Sequence, residues 1–134
     1  MLTVDLAARL RAAGLAWRPA PGDRFAVPDR GLDEEVFVLS NMVIEVHDLP
    51  DGEVIGFNGT TEWALDDVEK DEAVWLPRED QLRELLGGAF HALERAAGGY
   101  LVRVAVVGRP AQFRAAEAAD AYAQALLHLI EASR

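Results

Sequence analysis

The chain has 134 residues, a formal net charge of −10 at pH 7 and no cysteine. This length suits one domain, since a chain of this size buries roughly two thirds of the surface that its unfolded form exposes. The lack of cysteine excludes disulfides, thiolate zinc sites and a cysteine nucleophile. The negative charge disfavours nucleic acid and anionic membranes as partners, because cations must face their phosphates.

The first predicted element is a helix over residues 3–13, where leucines recur at helical spacing. Gly14 follows in the position of a left-handed cap. A connection rich in proline and glycine then covers residues 17–28. It has room for one short strand, at Arg24–Val27.

The centre of the chain predicts a meander of short strands at residues 36–39, 42–47, 54–57 and 62–65. Two strong turn signals separate these strands, Pro50-Asp51-Gly52 and Asn58-Gly59. Residues 66–72 follow as an acidic loop. The meander therefore predicts mainly antiparallel pairing.

A second helix is expected to begin within residues 73–76, to accept Pro77 in its first turn and to run to Leu86. We expect Gly87-Gly88 to end it, since two glycines cost about 2 kcal/mol in a helix interior. The alternative is one helix over residues 78–97, which the spacing of apolar residues would support. A hairpin is expected next, with strands at residues 90–94 and 100–107, and then a last helix over about 115–132.

This order of elements predicts a single α+β domain over residues 1–134. Its sheet is mainly antiparallel, a meander plus a C-terminal hairpin, packed against the N-terminal, central and C-terminal helices. The side chains that we expect to be buried are Leu10, Ile44, Phe57, Leu86, Leu126 and Leu129. No export signal is visible, and the longest uncharged run, residues 121–130, is far short of the ~20 residues of a membrane span. A cytoplasmic location is therefore expected.

No stretch of the chain carries a catalytic or cofactor motif. The glycines of the centre lie between predicted strands, without the helix that would aim N–H groups at a phosphate. Ser40 follows an apolar strand, but Leu39 and Asn41 flank it where a nucleophile elbow needs glycines. The sequence predicts no cofactor, and an enzyme is the less favoured class.

Histidines and carboxylates suggest one metal hypothesis. Glu45 and His47 share a strand face, with Asp48 close by, and this spacing can place two ligands on one metal. Since the sequence assigns no third ligand, a solvated sheet face is the favoured interpretation and no metal site is predicted. We expect His91 and His128 at an edge or on the surface.

The acidic residues are concentrated in the middle of the chain. Residues 33–80 contain fifteen acidic and two basic residues, a net charge of −13, whereas the rest contains eight acidic and eleven basic residues, a net charge of +3. We expect this segment to present a contiguous acidic face. The alternative is that the acidic residues are scattered over the surface and serve solubility alone.

The candidate partner-binding residues are two tryptophans and the acidic residues between them, Trp63, Asp66, Asp67, Glu69 and Trp75. Tryptophan is enriched at binding hot spots, and carboxylates attract a basic protein or peptide. The alternatives are a solvated loop and tryptophans that belong to the core.

Four segments carry a resemblance to a known family: WRP at 17–19, PGDRF at 21–25, GFNGTTEWAL at 56–65 and AVWLPREDQL at 73–82. They resemble small proteins without an established activity from high-GC Gram-positive bacteria, which often carry the label "pilus assembly protein". The resemblance covers the whole chain and implies its fold and its cytoplasmic compartment, not an activity. The residues do not support the label, since the pilus-assembly ATPase needs a nucleotide-binding loop that this sequence lacks.

These observations favour a non-enzymatic cytosolic binding or adaptor module with an acidic recognition surface. The expected partner is a basic protein or peptide, with no nucleic acid and no membrane, and a homodimer is compatible with the sequence. One alternative is an immunity- or inhibitor-type protein that neutralises a basic partner. Another is a small enzyme whose carboxylates and histidines converge only in three dimensions.

Overall fold

The computed structural model describes residues 1–28, 32–39, 44–49, 52–57, 67–69 and 73–133. These residues form α-helices and antiparallel strands, which confirms the predicted α+β class. The helices are α1 Val4–Ala12, α2 Glu79–Leu86 and α3 Ala118–Ala132. The strands are β1 Arg24–Val27, β2 Leu32–Val38, β3 Ile44–Leu49, β4 Gly52–Phe57, β5 Asp67–Glu69, β6 Val74–Trp75, β7 Phe90–Ala96, β8 Gly99–Val106 and β9 Arg109–Ala115.

The chain divides into two compact units. The terminal unit comprises Met1–Ala16 and Leu76–Arg134, and the central unit comprises Trp17–Trp75. The central unit contains two antiparallel sheets, with strand orders β2-β1-β6 and β3-β4-β5, and the terminal unit contains the sheet β7-β8-β9. A single domain over residues 1–134 stays a prediction.

The core of the terminal unit lies between α3 and its sheet. Strand alternation places Val102, Val104 and Val106 on one face of β8, and all three are buried. The first three turns of α3 bury most of their residues, with Tyr122 and Leu126 among them, and α3 packs on β8 and β9. Helices α1 and α2 also pack against α3.

Predicted burial is confirmed for Leu10, Leu86 and Leu126. It is wrong for Leu129, which is only half-buried, because the buried stretch of α3 ends at Leu127. The predictions for the side chains of Ile44 and Phe57 lie outside the described part of the chain, as does the strand predicted at residues 62–65.

Two glycines end helices as predicted. Gly14 has φ +112° and donates its N–H to the Arg11 carbonyl at 3.0 Å, while the Leu15 N–H reaches the Leu10 carbonyl at 3.0 Å. This pair of bonds is the Schellman motif, which satisfies carbonyls at a helix end. Gly87 has φ +55°, and the chain leaves α2 through one 3₁₀ turn before β7 begins at Phe90.

The predicted start of the second helix at residues 73–76 is wrong. Val74 and Trp75 form β6, which pairs with β1. Pro77 disfavours a helical conformation in the residue before it, so α2 begins only at Glu79. The Gln81 side chain accepts the Arg78 backbone N–H at 2.9 Å and caps this later start.

The predicted C-terminal hairpin is part of a three-stranded meander. Its first turn lies between Ala96 and Gly99 as expected, but a third strand, β9, follows β8 and delays α3 to Ala118. The sequence signal for β9 is the alternation of apolar and polar residues over 111–113. In the structure, Ala111 and Phe113 are half-buried while Gln112 is exposed. Because alanine favours a helix, the alanines at residues 115–116 led to a helix being predicted from about residue 115, where β9 ends.

The β8–β9 turn places a valine in an unfavourable conformation. Val106 pairs with Arg109, so Val107 and Gly108 form the whole connection, with φ +53° and φ +74°. Two positive φ angles in a two-residue hairpin loop define a type I′ turn, which favours Asn-Gly. A β-branched residue rarely adopts positive φ, and Val107 is 87% exposed, so packing does not compensate for the strain.

Replacement of this valine by asparagine is therefore expected to stabilise the protein. Val107→Asn should raise the free energy of unfolding by about 1 kcal/mol, because asparagine tolerates the left-handed region. Urea unfolding followed by circular dichroism measures the change. Val107→Thr is the matched control, since it keeps the β-branch and should gain nothing. Equal stability of the Asn and Thr variants would show that the turn is not strained.

Candidate functional site

Trp75 lies in an aromatic cluster of the central unit. It is half-buried on β6, opposite Phe25 of β1, and its ring stacks on Trp17 with centroids 6.5 Å apart and planes at 11°. Phe25 contacts Trp17 and Phe37, with ring centroids 5.7 and 5.5 Å apart. Val27, Leu39 and Ala73 are buried in the same cluster. Trp75 is therefore in large part a core residue, as the alternative reading of the sequence held.

A buried carboxylate holds this cluster in place, and the sequence did not single it out. Asp23 is 3% exposed and is the one buried charged side chain among the residues whose side chains the structure describes. Its Oδ2 accepts the Trp17 indole N–H at 2.9 Å and the Ala20 backbone N–H at 3.1 Å. These two hydrogen bonds offset the cost of burying a polar group. In the sequence, Asp23 signals only a turn after Pro21-Gly22.

The two indole groups of the cluster differ in hydrogen bonding. Trp17 donates to Asp23, whereas the buried Trp75 Nε1 has no hydrogen-bond partner among the described residues. A buried donor without a hydrogen-bond partner loses about 1–3 kcal/mol of solvation free energy. The Trp75 indole N–H therefore contributes no stabilising bond of its own, and its ring acts through packing.

Asp67 and Glu69 lie on a strand rather than in the predicted acidic loop. Both belong to β5, where Asp67 pairs with Gly56 and Glu69 with Val54 of β4. The loop prediction is thus wrong for residues 67–69, because pairing with β4 orders this short polar segment. Trp63 and Asp66 lie outside the described residues.

The negative charge belongs to the central unit. By sequence, that unit holds fifteen acidic and four basic residues, a net charge of −11, whereas the terminal unit holds eight acidic and nine basic residues, a net charge of +1. The terminal unit includes Glu79 and Asp80, the last acidic residues of the 33–80 segment. Arg78 Nε donates to Asp80 Oδ1 at 3.1 Å, and this hydrogen bond lowers the pKa of Asp80. By this count, the net excess of carboxylates therefore lies in the central unit.

The other candidates for chemistry lie on several elements. In the backbone register, Glu45 and His47 of β3 pair with Gly56 and Val54 of β4, the same two residues that pair with Asp67 and Glu69 of β5. His91 is exposed on β7, an edge strand, and His128 is exposed on α3, which confirms the expectation for both. Among the described residues, no three His, Asp or Glu side chains gather in the way that would hold a metal ion.

The hydrogen bond of the Trp17 N–H predicts a difference in stability between two tryptophan variants. Trp17→Phe should destabilise the protein by about 2 kcal/mol more than Trp75→Phe, because only Trp17 donates to a buried carboxylate. The free energies come from urea unfolding followed by circular dichroism.

A double-mutant cycle with Asp23→Ala separates this hydrogen bond from differences in burial. Trp17→Phe and Asp23→Ala should couple by at least about 1 kcal/mol, whereas Trp75→Phe and Asp23→Ala should be nearly additive. Equal coupling of both tryptophans to Asp23 would contradict the assignment.

Comparisons with known proteins add no functional information. No family model matches the chain, and neither a curated protein nor a solved structure gives a significant match. In the part of the chain that the structure describes, the helices are too short or too polar to cross a membrane. Any account of function must therefore begin from the side chains and charges above.

Proposed function

We propose that this protein is a non-enzymatic binding module that engages a basic protein or peptide through its central unit. The supporting observation is the division of charge, a net −11 in the central unit against +1 in the terminal unit. A charge needed only for solubility would be shared by both units. Concentrated in one of them, it creates a local potential that attracts cations.

The placement of Asp67 and Glu69 supports this surface. Both belong to β5, a three-residue strand at the edge of the sheet β3-β4-β5. Charged residues on a short edge strand discourage indiscriminate strand pairing. Carboxylates within about 8 Å of one another reinforce each other at physiological salt.

The aromatic cluster gives the central unit a packed core around β1. Its buried members include Trp17 and Phe25, and β1 pairs with β6. The proposal places the protein in the cytosol, with no nucleic-acid partner, since phosphates would meet the carboxylates of the central unit.

Charge neutralisation in the central unit tests the proposal. The triple variant Asp66→Asn, Asp67→Asn, Glu69→Gln should associate with a labelled arginine-rich peptide about tenfold more slowly at low ionic strength. The dependence of the on-rate on salt should also become shallower. Stopped-flow fluorescence anisotropy over a series of salt concentrations measures both quantities.

A matched control carries the same charge change in the terminal unit. Glu79→Gln, Glu84→Gln, Glu131→Gln removes three exposed carboxylates and should leave the on-rate within about twofold of the native value. Equal slowing of both triple variants would mean that only net charge matters. An unchanged rate in the central variant would leave these acidic residues without a recognition role.

A further inference from the structure

A concavity on the sheet of the terminal unit is not accounted for by the proposed function. It has a volume of about 340 Å³ and crosses all three strands, with His91 on β7, Arg103 and Ala105 on β8, and Pro110 and Gln112 on β9. Small-molecule sites have volumes from about 300 Å³ upward and combine apolar walls with a few converging polar groups. This concavity has that composition.

Its polar groups favour an anion. Among the described residues that line it, the ionisable side chains are Arg103 and His91, and no aspartate or glutamate is present. A carboxylate placed here would meet the Arg103 guanidinium and no carboxylate of the lining itself, although Glu94 beside the lining pairs with that guanidinium.

The guanidinium of Arg103 is oriented by Glu94 on the neighbouring strand. Its Nε donates to one carboxylate oxygen at short range, and Nη2 makes a longer contact of 3.5 Å with the other. Glu94 therefore orients the guanidinium mainly through Nε. Of the five N–H donors of an arginine, two are used by Glu94, which leaves three for a ligand. The Arg103 side chain is 49% exposed, so these donors are accessible.

A β-bulge brings His91 to the concavity. The register between β7 and β8 shifts between Phe90 and Ala92, which leaves His91 as the extra residue of the strand. Bulges change the direction of a side chain and occur often beside binding sites. The imidazole and the Gln112 amide thereby line the same concavity as Arg103.

We propose that this concavity binds a small molecule that carries a carboxylate on a compact apolar group. The carboxylate pairs with the free donors of Arg103, with the Gln112 amide or the His91 ring as a second donor. The apolar group packs against Ala105 and Pro110. This site belongs to the terminal unit alone and does not involve the acidic residues of the central unit.

Amide NMR titration with benzoate as the probe tests this site. Benzoate should shift the backbone signals of residues 91, 103–105 and 111–112 saturably, with a dissociation constant on the order of 1 mM, as expected for a ligand of its size. Benzamide has the same ring without the charge and should bind at least about tenfold more weakly, as should the cation benzylamine.

Three variants test which residues contribute to benzoate binding. Arg103→Gln should weaken benzoate binding about tenfold or more, and Ala105→Leu should weaken it by filling the concavity without a change of charge. Arg114→Gln is the matched control, because Arg114 is exposed on β9, two residues from Gln112 on the same face, and lies outside the lining. This variant should bind as the native protein does.

Several results would overturn the proposal. Benzamide could bind as tightly as benzoate, which would remove the role of the carboxylate. Arg114→Gln could lose as much affinity as Arg103→Gln, which would indicate general charge attraction. Shifts that do not saturate, or that map to other residues, would likewise show that no site of this kind exists here.

Discussion

The hydrogen bond between the Asp23 carboxyl group and the Trp17 indole is the interaction on which the aromatic cluster and the sheet β2-β1-β6 depend. A carboxylate that is 3% exposed is costly to bury unless donors surround it, and the Trp17 and Ala20 N–H groups supply two. The backbone of the same residue is also bound, since the Asp23 carbonyl accepts the Leu39 N–H at 2.9 Å. One residue thus ties the connection before β1 to the residue that follows β2.

This interaction is important because the central unit carries a large negative charge. A net charge of −11 in 59 residues opposes compaction through self-repulsion, so the unit needs a core that compensates. Stacked and tilted aromatic rings provide it, with Trp17 in contact with both Phe25 and Trp75. The large apolar area of these rings adds to the hydrogen bonds of Asp23. Aromatic packing thus offsets the self-repulsion of the charge on which the proposed recognition relies.

The sequence predicts those features that a few neighbouring residues determine. The ends of α1 and α2 follow from Gly14 and Gly87, because a glycine with positive φ acts on the turn beside it. The strand β6 could not be predicted in the same way, since Val74 and Trp75 become a strand only by pairing with β1, far away in the chain. Helix and strand signals compete in such short segments, and tertiary pairing decides between them.

The candidate site, like the fold, is only partly predictable from neighbouring residues in the sequence. The concentration of acidic residues is visible in the sequence, as is a core role for Trp75 as one alternative. The role of Asp23 is not, because nothing near it in sequence indicates that an indole six residues earlier will donate to it. The concavity around Arg103 was also beyond sequence analysis, since it requires three strands in register.

Recognition of a basic partner by the central unit is the central claim of this account. Carbodiimide cross-linking, which joins carboxylates to lysines at direct contact, tests it most directly on complexes isolated from native lysate. Mass spectrometry should then find cross-links from carboxylates of residues 17–75, with Asp67 and Glu69 among them, to lysines of the partner. Cross-links confined to carboxylates of the terminal unit, such as Glu79, Glu84 and Glu131, would contradict the account.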